Sequence, residues 1–294
     1  MPWQPERDPY APCACGSGKK YKFCCLKLDR EKFHQEEAAR DAEPVEREEP
    51  LDLPPFRRES MEKMMRELAQ GLGSSSPSGS PGQDLIDQAW QSPPDEAVEI
   101  AERAIEIDPD TADAYNILAE HEDDMEAKLE LYRRGVAAAE NALGPSAVLE
   151  HTGHFWGVLE TRPYMRARGG VAHCLKILGR DEEAVTEFRE LLRLNPNDNM
   201  GHRTALAGSY CSLGRWDDLE KLLNEYDEDH MAAWAYSRAL LHFMRGDKKG
   251  ANVKLKAALK VNKHVPGYLL GVKPLPLQMP GCWSPGDWTE AVFF

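Results

Sequence analysis

Nowhere in the 294 residues is there a run of 18 or more apolar residues, so no segment reads as a membrane-spanning helix. The opening MPWQPERDPYAP lacks the basic-then-apolar order of a secretory signal, which leads to the expectation of a soluble, cytoplasmic chain. Basic residues are in deficit: 36 Lys and Arg stand against 50 Asp and Glu, a net charge of −14 with a pI near 5.2. That balance argues against a protein that coats nucleic acid or anionic membrane, and leaves only local basic patches for such contacts. No nucleophile elbow, phosphate loop, dinucleotide fingerprint or zinc-protease helix occurs. GSGKK falls short of phosphate-loop spacing and lies inside a cysteine cluster. An evenly spread disulfide framework is missing too: of seven cysteines, Cys13, Cys15, Cys24 and Cys25 cluster, while Cys174, Cys211 and Cys282 are scattered and read as ordinary thiols.

What the chain does have, from about Gln83 onward, is a helical repeat. In YMRARGGVAHCLKILGRDEEAVTEFRELLRLNPND a small residue, Ala172, precedes the turn Leu178-Gly179-Arg180. Ala184, Phe188 and the helix-stopping Asn195-Pro196 then follow. Ala207, Leu213-Gly214-Arg215, Leu219 and Leu223 recur 35 residues later. A looser copy places Arg245-Gly246-Asp247 at its turn, with Ala251, Leu255 and Ala258 on the packing face. Upstream, Ala97, Ala101, Ala104 and Pro109 close an earlier hairpin, and Tyr115 and Leu118 open the next. The pattern resembles tetratricopeptide (TPR) repeats, roughly four hairpins of them, and the proline-rich ending and the insert before Tyr164 are similar to a group of bacterial tetratricopeptide proteins. The implied fold is all-α: a TPR-like helical-hairpin solenoid over residues 83–264, closed by an irregular cap over 265–294 that packs on the last hairpin.

Residues 31–82 read as a charged and Gly/Ser/Pro-rich linker with short helices, and GSSSPSGSPG marks a boundary near 73–82. Within it Met64, Met65, Leu68 and Leu72 fall at helical spacing and suggest a short amphipathic helix that docks within the chain.

The string CACGSGKKYKFCC, inside a small unit over residues 1–30, sets two pairs of thiols around a turn that Gly16 and Gly18 permit. In a chain with no export signal such thiols read as metal ligands, and four thiolates suit tetrahedral Zn²⁺. Iron in a rubredoxin-like tetrathiolate is the alternative on ligand type alone. Lys19, Lys20 and Lys22 offset the negative charge of such a centre and are expected to depress the thiol pKa values. The motif resembles the SEC-C family, which implies Cys13, Cys15, Cys24 and Cys25 as ligands of a structural zinc. The same resemblance implies Lys19, Lys20, Tyr21 and Lys22 as a recognition surface for a chaperone or the ribosome.

The insert AVLEHTGHFWGVLETRPYMRARGG departs from the repeat. Its His151 and His154, with Glu150 and Glu160, offer a weak second metal set and the basis of an alternative reading as a metal-dependent hydrolase or redox enzyme. The more productive expectation is recognition. Arg162, Tyr164, Arg166 and Arg168 bunch at the entry to the clearest repeat, and Arg166, His173 and Lys176, with Asn116, fall by register on a groove suited to an acidic or carboxylate ligand. Pairing of these arginines with nearby glutamates is the competing use. The sequence as a whole points to a non-enzymatic interaction adaptor, with a protein or peptide ligand in the groove and nucleic acid or ribosome contact through the lysine strip as the alternative.

Overall fold

A computed structural model describes residues 8, 10–29, 32, 58–71, 81–277 and 279–293, without the side chains of 58–60, 69–71 and 81. Most of the charged stretch after Asp29, Leu72 and residues 73–80 of the Gly/Ser/Pro tract lie outside the described residues. The chain divides into two compact units, 1–57 and 58–294.

In the first unit the backbone folds back on itself where glycine allows it. Gly16 and Gly18 take φ of +79° and +69°, which β-carbon-bearing residues rarely adopt. The two arms meet at an antiparallel bridge between Pro12 and Lys20, with Cys13 N–H donating to Lys19 C=O at 2.8 Å and Tyr21 N–H to Ala11 C=O at 2.9 Å. A 3₁₀ turn, Tyr21–Phe23, follows and carries Cys24 and Cys25 back toward Cys13.

The second unit is built from helices, and no strand occurs among the described residues. They are α1 (Arg58–Gly71), α2 (Pro81–Ala89), α3 (Pro94–Ile107), α4 (Ala112–Glu120), α5 (Met125–Leu143), α6 (Ala147–His151) and α7 (Arg162–Ile177). After these come α8 (Asp181–Leu194), α9 (His202–Ser212), α10 (Trp216–Glu225), α11 (Ala232–Met244), α12 (Lys248–Val261), α13 (Val265–Leu269) and α14 (Trp288–Val292). Five hairpins result among the described residues, α2/α3, α4/α5, α7/α8, α9/α10 and α11/α12, each foreshadowed by a segment of the repeat pattern. The first, α2/α3, packs with α4 around a small core of its own that includes Ile86, Ala101, Ala104 and Ile117.

The hairpins share a chemistry at each end. Gly179, Gly214 and Gly246 have φ of +74°, +66° and +80°, and the following N–H of Arg180, Arg215 and Asp247 reaches back to the carbonyl of Leu175, Tyr210 and His242. This is the hydrogen-bond return by which a left-handed residue ends a helix. The second helices of three hairpins stop alike: Asp108, Asn195 and Asn262 are C-caps with φ between −149° and −141°.

Packing follows from small residues where helices meet. Gly170 of α7 lies under the ring of Tyr132 from α5, and a β-carbon there would overlap it. Gly169 leaves room for His202 of α9. Phe188, fully buried, has its ring centroid 5.2 Å from His173 and 5.8 Å from His202, so one phenyl joins three helices of neighbouring hairpins.

Helix α1 belongs to the helical unit rather than to linker: the Glu62 side chain, 2% exposed, meets Arg162 and Arg166 of α7. The insert is anchored by Phe155, fully buried against Tyr164, and by Gly153 N–H donating to Leu194 C=O at 2.9 Å. The C-terminal segment does pack on the last hairpin, but through two short helices, α13 and α14. Val265 and Ala291 join Ala232, Tyr236 and Ala258 in one cluster. The buried Glu290 carboxylate accepts from Ala232 N–H at the start of α11, from Gly286 N–H and from Asn262 Nδ2.

Candidate metal centre and groove surfaces

The knuckle brings all four clustered cysteines together. Their Sγ atoms lie within 4.8 Å of one another, with Cys15 and Cys24 at 3.3 Å and Cys24 and Cys25 at 3.8 Å, and none is in a disulfide. Sulfurs at the corners of a zinc tetrahedron with bonds of about 2.3 Å stand about 3.8 Å apart, so the donor set fits a tetrathiolate ion. The electrostatics agree. The Ser17 hydroxyl first, then Cys24, brings the Cys15 thiol down to about 6, whereas hydrogen bonds from Cys13, Cys15 and Cys24 push Cys25 up to about 12. Four thiolates this close repel one another, and a dication would relieve them. Ser17, rather than the lysines, leads the depression at Cys15.

Lys19, Lys20 and Lys22 are exposed as expected, but Tyr21 is not. It is 4% exposed, with its hydroxyl donating to Asp29 at 2.6 Å, because the bridge to Ala11 turns its side chain inward. The aromatic surface comes instead from Tyr10 and Phe23, 60% and 69% exposed, with the Lys22 ammonium 5.1 Å and 5.5 Å from their ring centres.

In the helical unit Asn116, Arg166 and His173 do line one cavity of about 380 Å³, shared with Tyr132 and His202. It is not the cationic groove the register implied. Arg166 Nη2 meets Asp113 at 2.6 Å, Nη1 meets Glu62 at 3.0 Å, and its guanidinium lies 5.4 Å from the Trp90 ring centre. Burial would weaken its proton affinity, but the Asp113 and Glu62 carboxylates more than offset this and raise it. Arg162 pairs with Glu62 and donates to Trp156 C=O, Arg168 pairs with Glu187, and Tyr164 is buried. Asn116, also buried, donates to Asp113 and Pro163 C=O. Lys176 reaches Ser209 Oγ at 3.1 Å, and only His173 offers a surface not already committed to an internal ion pair or hydrogen bond. These residues hold α1, α4, α7 and α8 together, and their charge is neutralised within the fold.

His151 and His154 stack edge-on with ring centres 6.1 Å apart. Among the described residues the cysteine quartet is the grouping of three or more potential ligands, and the histidine pair adds no second one.

Sequence reasoning did not single out a second groove. About 590 Å³ in volume, it lies between α9, α11 and α12. Ala207, Gly208 and Ser237 are among the small residues that line it, with Leu240, Phe243, Leu255 and Leu269, all exposed, as its larger apolar side chains. The available signal was the 39-residue interval between Asp247 and Asp287, which holds seven lysines and no acid in a chain of net −14.

Fold and site together define an all-helical array of tetratricopeptide-like hairpins preceded by a cysteine knuckle fit for a metal ion. The chain belongs to the ST7 protein family, whose model matches residues 73–292, a span that covers hairpins and cap and leaves the knuckle outside. Among solved structures it is similar to YrrB, described as a TPR protein with an unusual peptide-binding site. That likeness has 14% identity and a TM-score of 0.43, over 65% of this chain and 90% of that one. It is also similar to TTC0263, a thermophilic TPR protein of Thermus thermophilus, at 18% identity and a TM-score of 0.31, over 61% and 90%. No curated protein matches the sequence. No described helix is long and apolar enough to cross a membrane.

Proposed function

We propose that this protein is a non-enzymatic, cytoplasmic interaction adaptor, with a zinc-held knuckle and a helical-hairpin surface that engage protein partners. The observation that carries the reading is the contrast in how polar groups are used. The acid–base residues of the central hairpins are tied into internal pairs, while an apolar groove and a basic-aromatic strip are left open. A catalytic site needs titratable groups aimed at a substrate; a binding module needs open apolar and charged surface.

In this reading Cys13, Cys15, Cys24 and Cys25 hold one closed, structural Zn²⁺, with iron as the alternative ion. The recognition strip comprises Lys19, Lys20 and Lys22 with Tyr10 and Phe23. The likeness of residues 13–25 to the SEC-C motif supports a setting in protein biogenesis, with a chaperone, a translocase or the ribosome as the partner of the knuckle. Two binding modules on one chain raise the effective concentration of each for a composite partner.

The test is affinity purification of the full chain beside a Lys20→Glu/Lys22→Glu variant whose metal content is shown to be unchanged. The charge reversal is expected to remove a defined subset of captured proteins. An identical set from both chains would overturn the role given to the strip.

A further inference from the structure

The last hairpin differs from the others in charge as well as in burial. In the α7/α8 and α9/α10 hairpins most basic side chains have acidic partners close by, such as Arg180 with Glu183, Arg193 with Glu190 and Arg215 with Asp218. On α12 and just beyond it Lys248, Lys249, Lys254, Lys256, Lys260 and Lys263 are all exposed and form no ion pair among the described residues. The interval in which they lie offers no carboxylate to pair with.

Their arrangement on the helix is regular. Lys249, Lys256 and Lys260, spaced by seven and four residues, share one face of α12, and Lys263 continues that line past its end. The adjacent face carries Asn252, Leu255 and Leu259, of which Asn252 and Leu255 line the groove. The buried stripe of α12 is thin, formed by Ala251 and Ala258. The cap covers Ala258 through Val265 and Ala291 but leaves Leu255 and Leu259, each 40% exposed, uncovered. On the opposite wall Phe243 of α11 is 60% exposed.

We infer that the groove between α9, α11 and α12 is the docking site for an acidic amphipathic segment of a partner protein. Its apolar side chains enter the groove beside Phe243 and Leu255, and its carboxylates meet the lysine line of α12. The inference rests on the adaptor reading and names a surface and a partner chemistry for it. Charge complementarity selects the occupant: unpaired lysines along an apolar groove favour a ligand with acid along one edge of an apolar stripe. Shape selects a peptide over a lipid surface. The groove is concave and lined in part by small residues, and its volume lies within the range of about 300–1,000 Å³ typical of pockets that enclose a ligand.

The probe is a fluorescein-labelled synthetic helix-forming peptide with leucines at i, i+3, i+4 and i+7 and glutamates elsewhere, followed by anisotropy against the full-length chain. Binding is expected to weaken as salt is raised. It should be lost when the glutamates become lysines or the leucines become serines. Lys256→Glu/Lys260→Glu is expected to weaken it about ten-fold, the scale of two rim ion pairs lost and made repulsive. Phe243→Ser is expected to weaken it by about ten-fold or more through lost apolar burial. All three substituted side chains are exposed, so an unchanged circular dichroism spectrum and melting curve separate loss of binding from loss of fold.

Equal binding of the lysine-rich peptide, or indifference to both variants, overturns the inference. So does lysine-dependent sedimentation with vesicles of equimolar phosphatidylcholine and phosphatidylserine in the absence of peptide binding, or a dimer that Phe243→Ser dissolves. If purification shows strip-dependent partners and the probe does not bind, this site assignment fails and the adaptor reading stands. If the probe binds as described and Lys20→Glu/Lys22→Glu changes no capture, the groove stands and the knuckle's role fails.

Discussion

Among the described residues of the knuckle, only Cys13 and Tyr21 are buried, whereas the helical array closes Phe188, Leu191, Leu194, Leu219, Leu223 and Trp234 almost completely from solvent. A segment of this size cannot exclude enough apolar surface to offset the entropy of ordering its backbone. On the proposed reading its order comes from a few strong bonds between its four clustered thiolates and one ion. The array distributes the same task over many weak contacts, and each hairpin relies on its neighbours. The difference teaches where each part is vulnerable: the knuckle to removal of a single atom, the array to loss of a shared side chain.

The largest expected effect tests the knuckle side of that contrast. Removal of metal with a strong chelator, or the pair Cys13→Ser and Cys24→Ser, is expected to abolish the folded knuckle. Structural zinc sites supply an apparent ~10–16 kcal/mol at neutral pH, more than any other term available here. Hydrogen exchange should show residues 11–25 losing all protection while α7 to α9 keep theirs, and one metal equivalent should leave with the fold. Retained protection in the metal-free chain would break the comparison.

Next in size is Arg166. Its guanidinium joins Asp113 and Glu62, both with side chains 2% exposed. Arg166→Ala leaves the buried Asp113 carboxylate without a cation and Glu62 with Arg162 alone, and a buried carboxylate stripped of its cation costs about 3–5 kcal/mol. Urea denaturation should show that loss, with only partial recovery in Arg166→Lys, since an ammonium cannot reproduce the planar two-pronged contact. Metal content should not change. A loss under about 1 kcal/mol, the range of exposed pairs, would show that this network is not the centre of the array.

The pairing of Arg166 also marks the limit of what the sequence made legible. Hairpin turns at Gly179, Gly214 and Gly246 could be read because each is local, a left-handed residue with its helix on either side. The clustering of the four cysteines was legible for the same reason. Glu62 stands 104 residues from Arg166, and no spacing rule connects them. Tyr21 was placed on the surface by the resemblance of its motif to the SEC-C family. Its inward turn depends on Ala11 and Asp29, one on each side of the motif. The groove of the last hairpin was within reach, since an acid-free, lysine-bearing interval is a pattern in one dimension, but only the fold places it beside Phe243.

Acid sharpens the comparison from both sides. In the knuckle, on the metal-bound reading, it is expected to protonate thiolates and release the ion, because bound metal requires the anionic form. In the array the sensitive group is His202, 4% exposed, with both ring nitrogens unpartnered and His173 and Phe188 within 6 Å by ring centre. Burial first, then the nearby His173, lowers its pKa from 6.5 to about 4. Above pH 6.5 the folded and unfolded states both hold a neutral ring. Between 6.5 and about 4 the unfolded chain binds a proton that the folded chain refuses, so stability falls as pH falls through that window, by about 3 kcal/mol at most. Urea midpoints for the array taken across that range should show the slope, and His202→Leu, with Gly169 beside it to absorb the change of shape, should flatten it. The proposed metal-bound knuckle is expected to fail in acid because it needs charge, and the array to lose stability there because it has enclosed a group that must remain without one. A pH profile of the array unchanged by His202→Leu would assign its acid response to the carboxylate pairs instead.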